Sequence, residues 1–75
     1  MIGCRIARLR KRMGMSQAQL ANVLHVSPST IGMYEQGRRE PGVDTLVALA
    51  RVLHTSTDYL CTGQLYIDQN QGYDR

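Results

Sequence analysis

Residues 16–37 read S-Q-A-Q-L-A-N-V-L-H-V-S-P-S-T-I-G-M-Y-E-Q-G. The stretch predicts two short helices with a tight turn between them, because each half carries its own start signal. Ser16 can cap the first helix, and Gln19, three residues on, completes a capping box. Ser27 can cap the second, and Pro28 falls in its first turn, where a helix tolerates proline best. Leu20, Ala21, Leu24, Val26 and Ile31 are the apolar positions that would lock the pair into one core.

Towards the N-terminus, Ile2, Ile6, Leu9 and Met13 recur at helical spacing and predict a helix over about residues 2–12, ended by Gly14. The central pair covers about 17–24 and 28–36, with Gly37 where a helix stop is expected. R-R-E-P-G at 38–42 is a loop, since Pro41 and Gly42 break regular structure. Val43, Leu46, Val47, Leu49, Ala50, Val52 and Leu53 predict a strongly apolar fourth helix. Ser56 can cap a short fifth helix that includes Tyr59 and Leu60 and is closed by Gly63. No strand alternation or internal repeat is present. The expected organisation is an all-α domain over 1–63 followed by a polar tail, 64–75, in which Leu65, Tyr66 and Ile67 are the only apolar cluster. The tail reads as frayed; pairing with a second subunit is the sharper alternative.

Composition narrows the function. The chain has 75 residues, enough for one domain with a thin core and too few for a scaffold plus a substrate pocket. Its formal charge is +3 and its pI about 9.2, compatible with a polyanionic partner. Arg5, Arg8, Arg10, Lys11 and Arg12 crowd the first dozen residues. Cys4 and Cys61 match no metal spacing and read as reduced thiols. No apolar run is long enough to span a membrane, and no apolar stretch follows the early basic residues as in a signal peptide. The chain reads as soluble and cytoplasmic, with no cofactor.

Two helices joined this closely suit a helix-turn-helix, whose second helix enters the DNA major groove. Residues 5–63 resemble the Xre/Cro-type, lambda-repressor-like helix-turn-helix family. The resemblance rests on R-L-R-K-R-M-G-M-S-Q early, L-A-N-V-L and V-S-P-S-T-I in the middle, Y-E-Q-G-R-R-E-P after the third helix and S-T-D-Y-L near the end. It implies a compact five-helix domain that binds a palindromic operator in double-stranded DNA as a homodimer, with the dimer contact over about 55–63. It further implies that Gln17 bonds a phosphate and braces the recognition helix, and that Pro28, Ser29, Gly32 and Met33 face base edges. Arg38 and Arg39 would grip the backbone, and Arg10 and Glu35 would form an ion pair between the first and third helices.

The residues themselves add detail. Ser27 is explained by capping alone, though it lies at the front of the recognition helix. Ser29 and Thr30 can bond bases or phosphates, and Pro28 and Met33 can pack on thymine methyl groups. No Arg, Asn or Gln stands on that face, and Gly32 costs the helix about 1 kcal/mol relative to alanine. Specificity is therefore expected to lean on apolar contacts and DNA shape. His25 and His54 stand where glycine is common, after the second and fourth helices; a left-handed stop is expected at both. Tyr34 and Tyr59 read as packing residues. The expected function is a transcriptional repressor of bacterial or phage type. The alternative is a protein-binding module, such as an antitoxin, with a toxin or antirepressor as partner. No constellation supports catalysis.

Overall fold

The computed structural model describes residues 1–64; the 65–67 apolar cluster and the rest of the tail lie outside the described residues. Five helices follow in order: α1 Ile2–Arg12, α2 Gln17–Leu24, α3 Pro28–Gln36, α4 Val43–Val52 and α5 Thr57–Thr62. Among the described residues there is no strand, and no helix is long and apolar enough to cross a membrane.

The helix starts are set by side chains. The Ser16 hydroxyl accepts from the Gln19 amide N–H at 3.0 Å, and the Ser16 N–H donates to Gln19 Oε1 at 2.8 Å, so the capping box is closed in both directions. Ser27 and Ser56 accept from the N–H groups of Thr30 and Tyr59, at 3.2 and 3.0 Å. The helix ends are set by backbone conformation. His25 (φ 60°) and His54 (φ 55°) take up the left-handed geometry that lets a helix stop, as their positions suggested.

Each helix contributes one completely buried aliphatic side chain to a common core: Ile6, Leu20, Ile31, Leu49 and Leu60. Burial of each such side chain is worth about 1.5–3 kcal/mol. Ala21, Tyr34, Ala50 and Leu53 complete the buried set, which places Tyr34 firmly in the core.

Two expectations need adjustment. Leu24 and Val26 only flank the core. Met13 belongs to the exposed end of α1 rather than to its apolar row. The strongly apolar α4 is present as expected; the face carrying Leu49 and Ala50 points inward and leaves Val43 77% exposed.

Two packing features have no signature in the sequence. At Gly3, α1 passes so near α3 that a Cβ would stand 2.3 Å from the Tyr34 carbonyl oxygen and 2.6 Å from that of Glu35. Arg5 is not part of a solvated basic face. Its Nε donates to the Leu60 carbonyl at 2.8 Å and its Nη2 to that of Cys61 at 2.9 Å, which satisfies the C-terminal carbonyls of α5.

Candidate nucleic-acid interface

Helices α2 and α3 are separated by only three residues, His25, Val26 and Ser27. The turn is short because α2 is closed within it: the His25 and Val26 N–H groups donate back to Asn22 and Ala21 carbonyls, at 3.3 and 3.0 Å. The chain then leaves in extended geometry at Ser27, and α3 begins at once.

Register then sorts the side chains of α3 into two faces. Thr30, Ile31 and Tyr34 point inward. Pro28 and Ser29 are exposed, and Gly32 and Met33 are half-buried beside them. The expectation that Thr30 touches DNA is corrected by this register. Its residue is 8% exposed, and its hydroxyl is taken up in a 2.9 Å hydrogen bond with that of Ser27. The Ser27 hydroxyl is shared among the Thr30 N–H, Thr30 Oγ1 and Ser29 Oγ, so capping accounts for it. Ser29 keeps an exposed hydroxyl at the front of the helix.

The back of α3 is held by a three-residue network. Arg10 Nε donates to Glu35 Oε2 at 2.6 Å and Nη2 to Oε1 at 3.1 Å, a two-pronged pair with side chains only 10% and 9% exposed. Gln17 Nε2 donates to Glu35 Oε1 at 3.0 Å, which is the bracing of the recognition helix expected of it. Arg10 Nη1 also donates to the Met15 carbonyl at 2.8 Å, tying down the α1–α2 loop. Burial alone would push the Glu35 carboxyl up. Hydrogen bonds from Arg10 and Gln17, with the charges of Arg10 and Lys11, outweigh it and hold the group below the ordinary value of 4.5.

This network has an electrostatic consequence. Glu35 is the only acidic residue between Ser16 and Gly37. With its charge neutralised by Arg10, α3 itself carries no bare carboxylate. Arg38 and Arg39 follow immediately and are exposed. The Arg38 N–H closes the helix on the Met33 carbonyl at 2.9 Å, which fixes where the two cations emerge. Among the described residues neither guanidinium has an ion-pair partner. Tyr59 is elsewhere, half-buried in an open groove of about 420 Å³ with Leu9, Met13, Leu53 and His54.

A capped helix pair with a three-residue turn, its second member bolted at the back and bare at the front, is a helix-turn-helix domain. Comparison with known proteins gives the same answer at family level. The family described as "Helix-turn-helix" matches residues 6–60. The chain belongs to this family, in its Xre/lambda-repressor-like branch. It is 38% identical over 63 residues to the SPbeta prophage-derived HTH-type transcriptional regulator YonR of Bacillus subtilis (strain 168), covering 84% of this chain and 58% of that protein. It is 37% identical over 65 residues to repressor protein C2 of Salmonella phage P22, covering 87% of this chain and 30% of the repressor. The chain thus spans about half, or less, of the length of these curated relatives. The crystal structure of the P22 c2 repressor in complex with synthetic operator 9T superposes with a TM-score of 0.83 at 36% identity, covering 85% of this chain and 97% of that one.

Proposed function

We propose that this chain is a sequence-specific, double-stranded DNA-binding repressor that reads a palindromic operator as a homodimer. The observation that carries the proposal is the two-faced α3. Its inner face is committed to the core, its one carboxylate is neutralised by Arg10, and its outer face is exposed beside two arginines that have no ion-pair partner among the described residues. In a dimer, two such helices about 34 Å apart would enter successive major grooves. Pro28, Ser29, Gly32 and Met33 would meet base edges, and Arg38 and Arg39 would hold phosphates. Gln17, at the first turn of α2, would add a phosphate contact beside the free N–H groups of that helix end. The similarity to repressors, one of them solved on its operator, supports the reading. Repression would follow from occupancy alone, in the cytoplasm, with no bond made or broken.

The decisive experiment is selection of bound sequences from a random duplex pool at two salt concentrations. Recovery of a palindrome with steep salt dependence is the expected result. Recovery of no motif would reject the proposal in favour of a protein-binding role. Replacing Arg38 by alanine should weaken binding to all sequences alike and reduce the salt slope by about one unit.

A further inference from the structure

Among the described glycines, Gly32 is the one inside a helix with room for a side chain. A Cβ there would meet nothing nearer than the Gln17 side-chain amide, at 3.9 Å, an ordinary contact. Gly3, the other glycine in a helix interior, has no such room. The backbone at Gly32 is ordinary right-handed helix, so no special conformation demands glycine either. Glycine in such a place weakens the helix relative to alanine. Among the described residues no close contact at Gly32 requires glycine, which directs attention to what lies outside the fold.

What can occupy the space follows from its walls. Helix α3 carries no arginine, lysine or asparagine. At its border one N–H of the Gln17 amide donates to Glu35, which leaves the other for the phosphate contact proposed above. The floor of the gap is therefore bare Cα hydrogens with no cation of α3 beside it, which suits an apolar group. In the major groove the apolar feature of a base edge is the C5 methyl of thymine. We infer that Gly32 is a specificity-determining residue, a gap in the reading face that receives a thymine methyl between Gln17 and Met33. The inference rests on the proposed DNA-reading role and adds to it the base recognised and the residue that recognises it.

The test uses the full chain, the operator recovered by selection, and that operator with single thymines replaced by deoxyuridine, which removes only the methyl group. One such replacement, in a single half-site, should weaken the wild-type protein about three- to fivefold, the effect of losing one buried methyl. The variant Gly32→Ala should melt about 5 °C higher. It should bind the unmodified operator at least tenfold more weakly and be indifferent to the deoxyuridine to which the wild type responds. A Gly32→Ala protein that binds with wild-type affinity, or keeps the wild type's response to the same deoxyuridine, overturns the inference. So does a lowered melting temperature, since the fold itself would then need the glycine. Failure of the wild type to select any motif is a separate outcome that removes the DNA-reading proposal and this inference with it.

Discussion

Helix α1 is fastened to two neighbours by two of its arginines, and the two junctions differ in kind. At the α1–α3 junction Arg10 meets a carboxylate, and both side chains are about nine-tenths buried. At the α1–α5 junction Arg5 meets two backbone carbonyls in a partly exposed setting. The first junction places two opposite charges out of water, where each depends on the other. The second adds donors to a helix end that water could also serve. The difference teaches where the molecule can tolerate change. The junction behind α3 is the rigid one, and the junction with α5 is the forgiving one.

The largest effect should come from breaking the charge pair. Glu35→Ala strands the Arg10 guanidinium, and should cost about 3–5 kcal/mol in a denaturant titration. A domain of this size has roughly 4–11 kcal/mol in total, so the variant should be close to unfolding at 37 °C. The same pair makes the protein sensitive to acid. The Glu35 carboxyl sits below its ordinary value of 4.5 in the folded state. The unfolded chain therefore binds that proton first as pH falls. The contribution is complete above about pH 4.5 and is lost as pH drops through the lower folded-state value. Denaturant midpoints measured between pH 7 and pH 3 should show this fall, and Glu35→Gln should lack it.

Gly3→Ala tests whether the same junction is as tight in its backbone as in its charges. The added methyl would drive α1 away from the Tyr34 carbonyl, at a cost of about 1–3 kcal/mol or more. A melting temperature equal to that of the wild type would show that α1 and α3 have slack. Arg5→Met should cost only about 1 kcal/mol, since water can take over the exposed Cys61 carbonyl. A loss as large as that of Glu35→Ala would erase the contrast between the two junctions. His25→Gly belongs to neither junction and should be the smallest change. Relief of the left-handed strain and the added freedom of the unfolded chain oppose each other, so stability should move by less than about 1 kcal/mol. DNA binding should be intact.

The elements were readable in the chain because their boundaries are chemical. Ser16, Ser27 and Ser56 open helices through their hydroxyls, and Gly37 and Gly63 close them through left-handed backbone. His25 and His54 were readable as stops for the same reason. The Arg10–Glu35 pair came only from family resemblance, since nothing local to either residue says that they meet. Gly3 and Arg5 were not readable at all. Each depends on where two helices cross, and a helix crossing is decided by packing among residues far apart in sequence. Thr30 was misjudged by chemistry rather than position. Its hydroxyl suggested a bond to DNA, whereas the register it shares with Ile31 and Tyr34 turns it inward.

Among the described residues no helix exceeds 11 residues, and α3, the proposed reading helix, is nine residues long. Isolated helices of fewer than about 12 residues are marginal in water. With one sealed aliphatic anchor per helix, none has enough burial to persist by itself. The proposed probe for the groove is therefore a property of the assembled domain and not of the segment that spells it. Proteolytic cuts anywhere between the first anchor and the last would silence the protein as completely as deletion of α3.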